Sequence, residues 1–439
     1  MLQKHYRKVC CPEPEPNVPV CGDLSYDQCN DICYSAGNNL SYDPQSALRV
    51  NLCVNPCYAS LDTMCNNPAC RFCRNKIGIR DRDRNCRIQN RGCDLTSKIC
   101  NNETRCKKPD CCILPAKYRF VLVDLISNRL NFARVQDPEL VNPIGGIFID
   151  GVIWAANNGT GSITTYDIIG NKLGITAVVT DAIGVKSSPT GLIENQTIGF
   201  TITNGTLTVP SFLLVATANG VISGFNTQLS STRTFVVVDR SPTAASYRGL
   251  VIVNDLLYVT DFFNRTIDVF DQSFAKMTGY NFTDGDTRNP LPLTYGPFSI
   301  KDIGGMLYVT YALQSPTNRS TPQFGQGAGY INVFTYGGVF VRRFVTKGYL
   351  NIPWGMSAAP ESSGFPLGTI FVGNNGDGII NIYDPSGIHL GKMTDLNGRI
   401  VQLSGLWELM IRDPRSFYFL SGPNSQTDGL IGILSNGLF

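Results

Sequence analysis

"IPWGMSAAPESSGFPLGTIFVGNNGDGIINIYDPSG", Ile352–Gly387, opens on a Pro-Trp-Gly corner, passes through a run ending "TIFVGNN", and closes a second run, "GIINIYD", on Pro-Ser-Gly. Short apolar runs bounded by Gly, Pro and Asn are strand-and-turn chemistry. The stretch is either one hairpin or one copy of a repeat, and the rest of the chain decides which. The corner recurs as "NPIGG" at Asn142, "SPTGL" at Ser188, "YRGL" at Tyr247, "YGPF" at Tyr295 and "LSGLW" at Leu403. The strands after these corners read "VIWAANN", "FLLVATA", "LLYVTDF", "MLYVTYA", "TIFVGNN" and "FYFLSGP". The next strands read "SITTYD", "VISGFN", "TIDVFD", "YINVFT", "IINIYD" and "LIGILS".

Taking Trp154, Leu214, Tyr258, Tyr308, Phe371 and Phe419 as equivalent gives spacings of 60, 44, 50, 63 and 48. A period near ~50 residues built from short strands is the signature of a β-propeller blade. A lone blade leaves both faces wet, whereas blades packed radially cover one another. The sixth unit has room for three strands only. "YRFVLVDL", Tyr118–Leu125, is placed to supply the fourth and close the ring. The expected fold is all-β: a six-bladed β-propeller over residues 114–439, closed by an N-terminal strand and preceded by a small disulfide-rich domain over 1–113.

The succession of motifs resembles a group of mostly bacterial, secreted six-bladed propellers distantly related to NHL-type propellers. The resemblance covers about residues 118–436. It implies a fold and no reaction, because the group has none to transfer.

Composition agrees with a core-forming, turn-rich chain: 43% apolar, 16% charged, 43 Gly and 25 Pro. No run of 18 apolar residues occurs, so no membrane-spanning helix is expected. The opening "MLQKHYRKVCCPEPEP" lacks an apolar segment, so no secretory signal peptide is expected. The cysteines divide the chain. All 16 precede residue 113: Cys10, Cys11, Cys21, Cys29, Cys33, Cys53, Cys57, Cys65, Cys70, Cys73, Cys86, Cys93, Cys100, Cys106, Cys111 and Cys112. The same head holds 16 Lys+Arg against 12 Asp+Glu, while the body holds 21 against 22.

An even cysteine number at irregular gaps suits a disulfide framework, each cross-link contributing ~2–4 kcal/mol to a head with little apolar core. Cys70-x2-Cys73 has the spacing that opens a zinc site, but His5 and His389 are the only histidines, so such a site would be almost wholly thiolate. A cysteine-rich head joined to an unrelated body resembles the surface-fibre proteins of mimivirus-like giant viruses. That resemblance implies a virion location, a head that anchors or assembles, self-association, and contacts with other virion proteins.

Four further features bear on function. Asn157, Asp261, Asn374 and Asp377 fall in turns on one face of the ring, and oxygen ligands converging there would suit a channel Ca²⁺. "NNG" and "NNGDG" are equally turn chemistry. In the body, Asn-x-Ser/Thr triplets at Asn158, Asn195, Asn204, Asn264, Asn281 and Asn318 are candidate glycosylation sites. The basic run from Arg71 to Arg91 could meet nucleic acid or anionic glycans, although Asp81 and Asp83 offset part of its charge. Trp154, Trp354, Trp407, Tyr258 and Tyr308 sit at repeated positions and read as packing between blades. No Gly-x-Ser-x-Gly, His-Glu-x-x-His or phosphate-binding loop occurs. The reading is a structural virion protein and not an enzyme. The alternatives are a lactonase-like Ca-dependent hydrolase in the channel and a glycan-binding propeller.

Overall fold

The structure, a computed structural model, describes residues 119–436. The cysteines, the Arg71–Arg91 run and the disulfide-or-zinc alternative lie outside the described residues. Within them the chain forms six radially packed sheets, as the repeat requires. The inner strands are Pro143–Ile149, Pro189–Glu194, Tyr247–Val253, Tyr295–Ile303, Pro353–Ala358 and Leu406–Asp413. Each packs on the next, and the sixth packs on the first, so the ring is closed. Ile352–Gly387 thus spans three strands of the fifth blade.

Closure is made by Arg119–Ser127, which pairs antiparallel with Leu430–Ser435 from Val121↔Ser435 to Ser127↔Leu430. Blade six therefore takes its outer strand from the opposite end of the body. The strand is held from both sides of its length. Its start pairs with Thr394–Asp395 and its end with Val135–Gln136. Phe120 and Ile126 bury their side chains in two different inter-blade cores.

Each inner strand carries a register irregularity near its start, at the corner found in the sequence. Bulges turn a strand sharply and re-aim its side chains. The corner glycines answer to the approach of neighbouring blades. A Cβ on Gly145 would lie 2.9 Å from the Gly191 Cα, and one on Gly355 would lie 2.6 Å from the Trp407 carbonyl oxygen.

Hydrogen-bond register corrects one alignment. Leu406 pairs with Ser421 as Pro143 pairs with Asn157, which makes Tyr418, and not Phe419, the sixth equivalent of Trp154. Tyr and Phe are adjacent in "FYFLS", and both are buried, so hydrophobicity could not separate them. The aromatic positions do pack between blades. Trp154 lies 5.4 Å from Phe212 and 6.0 Å from Phe225 in blade two, and Tyr308 shares a buried cluster with Met356, Ile370 and Val372 of blade five.

Blade three departs from the pattern. It has three strands, and its fourth is reduced to a bridge at Lys276. The following segment leaves the blade and is pinned down again by aromatic and ionic contacts. Tyr280 and Phe282 each pack edge-on at 6.1 Å to Tyr258. Asp284 takes two hydrogen bonds from the buried Arg343 guanidinium at 2.9 and 2.8 Å.

Candidate functional site

A propeller usually does chemistry, if any, at the mouth of its central channel, so the residues there decide what this one can do. The corner bulges place Ile144, Thr190, Arg248, Phe298, Trp354 and Trp407 at equivalent positions of the six inner strands. Four of them, Ile144, Phe298, Trp354 and Trp407, join Phe262, Ala312 and Ile352 in one buried cluster. That cluster draws on blades one, three, four, five and six, and only the axis of the ring touches so many. Phe298 to Trp354 is 5.0 Å between ring centres, Trp354 to Trp407 is 5.2 Å, and Phe298 to Trp407 is 6.3 Å. These are edge-to-face and tilted contacts of the kind that aromatic quadrupoles favour.

The polar members of the ring are turned onto neighbouring blades. Trp407 Nε1 donates to Asn142 Oδ1 at 2.8 Å, tying blade six to blade one. Thr190 Oγ1 donates to the Tyr247 carbonyl at 2.9 Å, tying blade two to blade three. The Arg248 guanidinium lies 5.9 Å from both the Phe262 and Phe298 rings and donates to the Ser320 carbonyl. Burial pushes its pKa down to about 10, with the Asp261 carboxylate opposing the shift. At the next residue along, where four blades have glycine, blade six has Glu408. Its carboxylate meets Lys301 of blade four at 2.9 Å, with Glu408 5% and Lys301 30% exposed. An aromatic wedge and an ion pair between non-adjacent blades therefore both occupy the centre.

The four candidate calcium ligands stay in their own blades' turns. Asn157 donates to Ser162 Oγ and Thr164 Oγ1 at 3.2 and 2.9 Å. Asp261 accepts from the Ser246 and Asn264 amides and from Asn264 Nδ2. Asn374 and Asp377 share one turn, Nδ2 to Oδ2 at 3.4 Å, and Asp377 also accepts from the Ile379 amide. The structure thus brings only Asn374 and Asp377 into contact. Among the described residues, no group of three or more His, Cys, Asp or Glu is disposed to hold a metal ion. Asn157 Oδ1 and Asn374 Oδ1 are buried without a hydrogen-bond partner.

Sequence reasoning singled out the turns and missed Phe298, Lys301 and Glu408. The signal was present in the corner alignment, where a bulky residue replaces Ile or Thr in blades four to six. A side cleft of about 480 Å³ also escaped it, because the cleft lies where the fourth strand of blade three would run. Tyr280, Asp284, Pro290, Leu293 and Tyr311 are among its walls.

His389, the one histidine among the described residues, stands in the outer strand of blade five, as its position in the repeat suggested. It stacks on Tyr349 at 4.0 Å and meets Tyr383 at 5.3 Å. Burial, with Lys392 adding to it, lowers its pKa to about 4 from the ordinary 6.5. The neutral ring is the folded form. Its stabilising effect is therefore complete above about pH 6.5 and is lost as pH falls toward 4, in all about 3 kcal/mol. Urea titrations between pH 7.5 and 4 should show this loss in the native protein, and His389→Phe should flatten the curve by that amount. Parallel curves for the two proteins would refute the assignment.

No family model matches the chain. Related proteins do. "Uncharacterized protein L690" of Acanthamoeba polyphaga mimivirus is 41% identical over 314 residues, which is 71% of this chain and 84% of that protein. "Uncharacterized protein R648" of the same virus is 39% identical over 312 residues, 70% of this chain and 78% of that protein. The chain belongs to this mimivirus family. Among solved structures, the soluble aldose sugar dehydrogenase of Escherichia coli superposes with a TM-score of 0.47 at 11% identity, over 72% of this chain and 100% of that one. Virginiamycin B lyase of Staphylococcus aureus gives 0.44 at 10% identity, over 72% and 99%. Overlaps this loose carry no reaction across to the mimivirus family.

Proposed function

We propose that the protein is a non-catalytic structural component of a giant-virus particle. In this reading the propeller is a rigid exposed module, and the cysteine-rich head anchors or assembles it with its own copies and other particle proteins. One observation carries the reading: side chains from five blades fill the axis where a propeller enzyme keeps its substrate chamber. Membership of a mimivirus family supports the particle assignment. Limited proteolysis of intact purified particles, followed by mass spectrometry of the released peptides, tests it. Propeller peptides should appear in the released fraction before the particle breaks open. Absence of the protein from purified particles would overturn the proposal, and release only after disruption would move the protein to the interior.

A further inference from the structure

The six Asn-x-Ser/Thr triplets of the body look alike in sequence and differ in what their amide nitrogens do. Attachment of a sugar needs a free Asn Nδ2, because that atom forms the new bond and must afterwards carry a bulky polar group in solvent. Three of the six amides already donate: Asn195 and Asn264 use both Nδ2 hydrogens, and half-buried Asn158 uses one in a joint between blades. Asn195 is 7% exposed, and its Nδ2 donates to the Gly199 and Ser211 carbonyls at 3.1 and 3.0 Å. Asn158 Nδ2 donates to the Pro189 carbonyl of blade two at 3.1 Å. Asn264 Nδ2 donates to Asp261 Oδ2 at 2.7 Å and to the Thr243 carbonyl at 3.1 Å. These triplets build turns and joints.

The other three share a different arrangement. Each is exposed, and each turns its Oδ1 onto the third residue of its own triplet, a contact that Asn195 also makes, so exposure and the state of Nδ2 are what set the three apart. Asn204 Oδ1 accepts from the Thr206 amide at 3.0 Å, Asn281 Oδ1 from Thr283 Oγ1 at 2.5 Å, and Asn318 Oδ1 from the Ser320 amide at 3.0 Å. With the oxygen so engaged, Nδ2 is left unpaired on the surface. Asn204 caps a hairpin inserted in blade two, Asn281 lies on the segment after blade three, and Asn318 lies between two strands of blade four.

We infer that Asn204, Asn281 and Asn318 are N-glycan acceptors and that Asn158, Asn195 and Asn264 are not. The reaction joins Nδ2 to C1 of a sugar carried on a diphosphate donor. The C1–O bond breaks, the diphosphate leaves with the bonding pair, and the amide loses one proton to the transferase. At Asn195 and Asn264 the sorting holds whether sugar is added before or after folding, since a glycan would take one of two Nδ2 hydrogens that the folded chain uses; at Asn158 it rests on the half-buried joint with Pro189. It depends on side-chain geometry and not on the particle assignment. Asn281 also lines the side cleft, so a glycan there would stand over it.

Glycopeptide mass spectrometry decides the question on two preparations of the full chain, one from its native source and one secreted from insect cells. Sugar on Asn204, Asn281 and Asn318 in both, with Asn158, Asn195 and Asn264 bare, is the expected result. Sugar on any of the latter three in either preparation overturns the sorting. Bare asparagines in the native protein overturn the claim that these sites are used. Asn195→Gln should lower the melting temperature by several degrees without changing glycan mass. The triple variant N204Q/N281Q/N318Q should lose all glycan mass from peptides of residues 119–436, whatever Asn39 and Asn102 of the head carry, and keep its melting temperature when compared with enzymatically deglycosylated protein.

Discussion

Deleting Arg119–Ser127 should abolish cooperative folding of the propeller. The strand contributes the outer edge of blade six, and its loss would leave Leu430–Ser435 unpaired along six register positions. It also seats Phe120 against Phe365 and Phe417 at 6.4 and 5.9 Å, and Ile126 among Leu140, Ile153 and Ile431. Every other blade is joined to its neighbours by continuous chain, whereas closure joins the two ends of the body. A gap there releases blade one from blade six and wets two inter-blade cores at once. Domain stabilities are typically ~5–15 kcal/mol, so a loss of this kind exceeds what the fold can absorb. Ile126→Asp tests the same joint with one residue. Ile126 is fully buried, and an unpaired carboxylate at such a site costs several kcal/mol or forces protonation. Thermal melts followed by circular dichroism should show no cooperative transition for the deletion and a much lower midpoint for Ile126→Asp. A native-like midpoint in both would mean that the ring is not held by this strand.

Closure was legible because its signal is a deficit, and deficits survive in sequence. Six corners with room for only three strands after the last require a donor, and "YRFVLVDL" was the available apolar run. Blade count and strand order followed from the same periodic burial. Three things were not legible, each for a physical reason. The step from Phe419 to Tyr418 is invisible because both residues are buried, and only pairing with the inner strand fixes the register. Blade three's missing outer strand is hidden because Lys276 and Met277 begin one, and the chain departs only when Tyr280 and Phe282 find Tyr258. The centre of the ring is the third. Oxygen-rich turns and oxygen-rich ion sites use the same residues, so the sequence could name Asn157, Asp261, Asn374 and Asp377 without saying which of them meet. The structure brings only Asn374 and Asp377 into contact, and sequence spacing cannot report that. Bulky side chains at three successive corners, Phe298, Trp354 and Trp407, were the better guide, since the axis is the only place where they can meet.

Trp354→Ala should lower stability by about 3–5 kcal/mol, the range for removing a buried Trp from a core that cannot collapse around the space. Trp354 is 1% exposed and touches both Phe298 and Trp407, so its loss empties the middle of the wedge. Trp407→Ala should cost a similar amount and in addition strip Asn142 Oδ1 of its donor from blade six. Trp354→Phe keeps an aromatic face in place, and because Trp354 Nε1 has no hydrogen-bond partner, no bond is lost with the indole. It should therefore recover much of the stability. The pattern separates two accounts of the axis. A binding site tolerates truncation of its contact residues at little cost to the empty protein, because water or ligand occupies the space. A packed axis does not, because the removed ring leaves its two neighbours without contacts. Urea denaturation of the three variants measures the difference directly. If Trp354→Ala melts with the native protein, the rings are holding open a site, and the case for a filled and chemically silent channel falls with them.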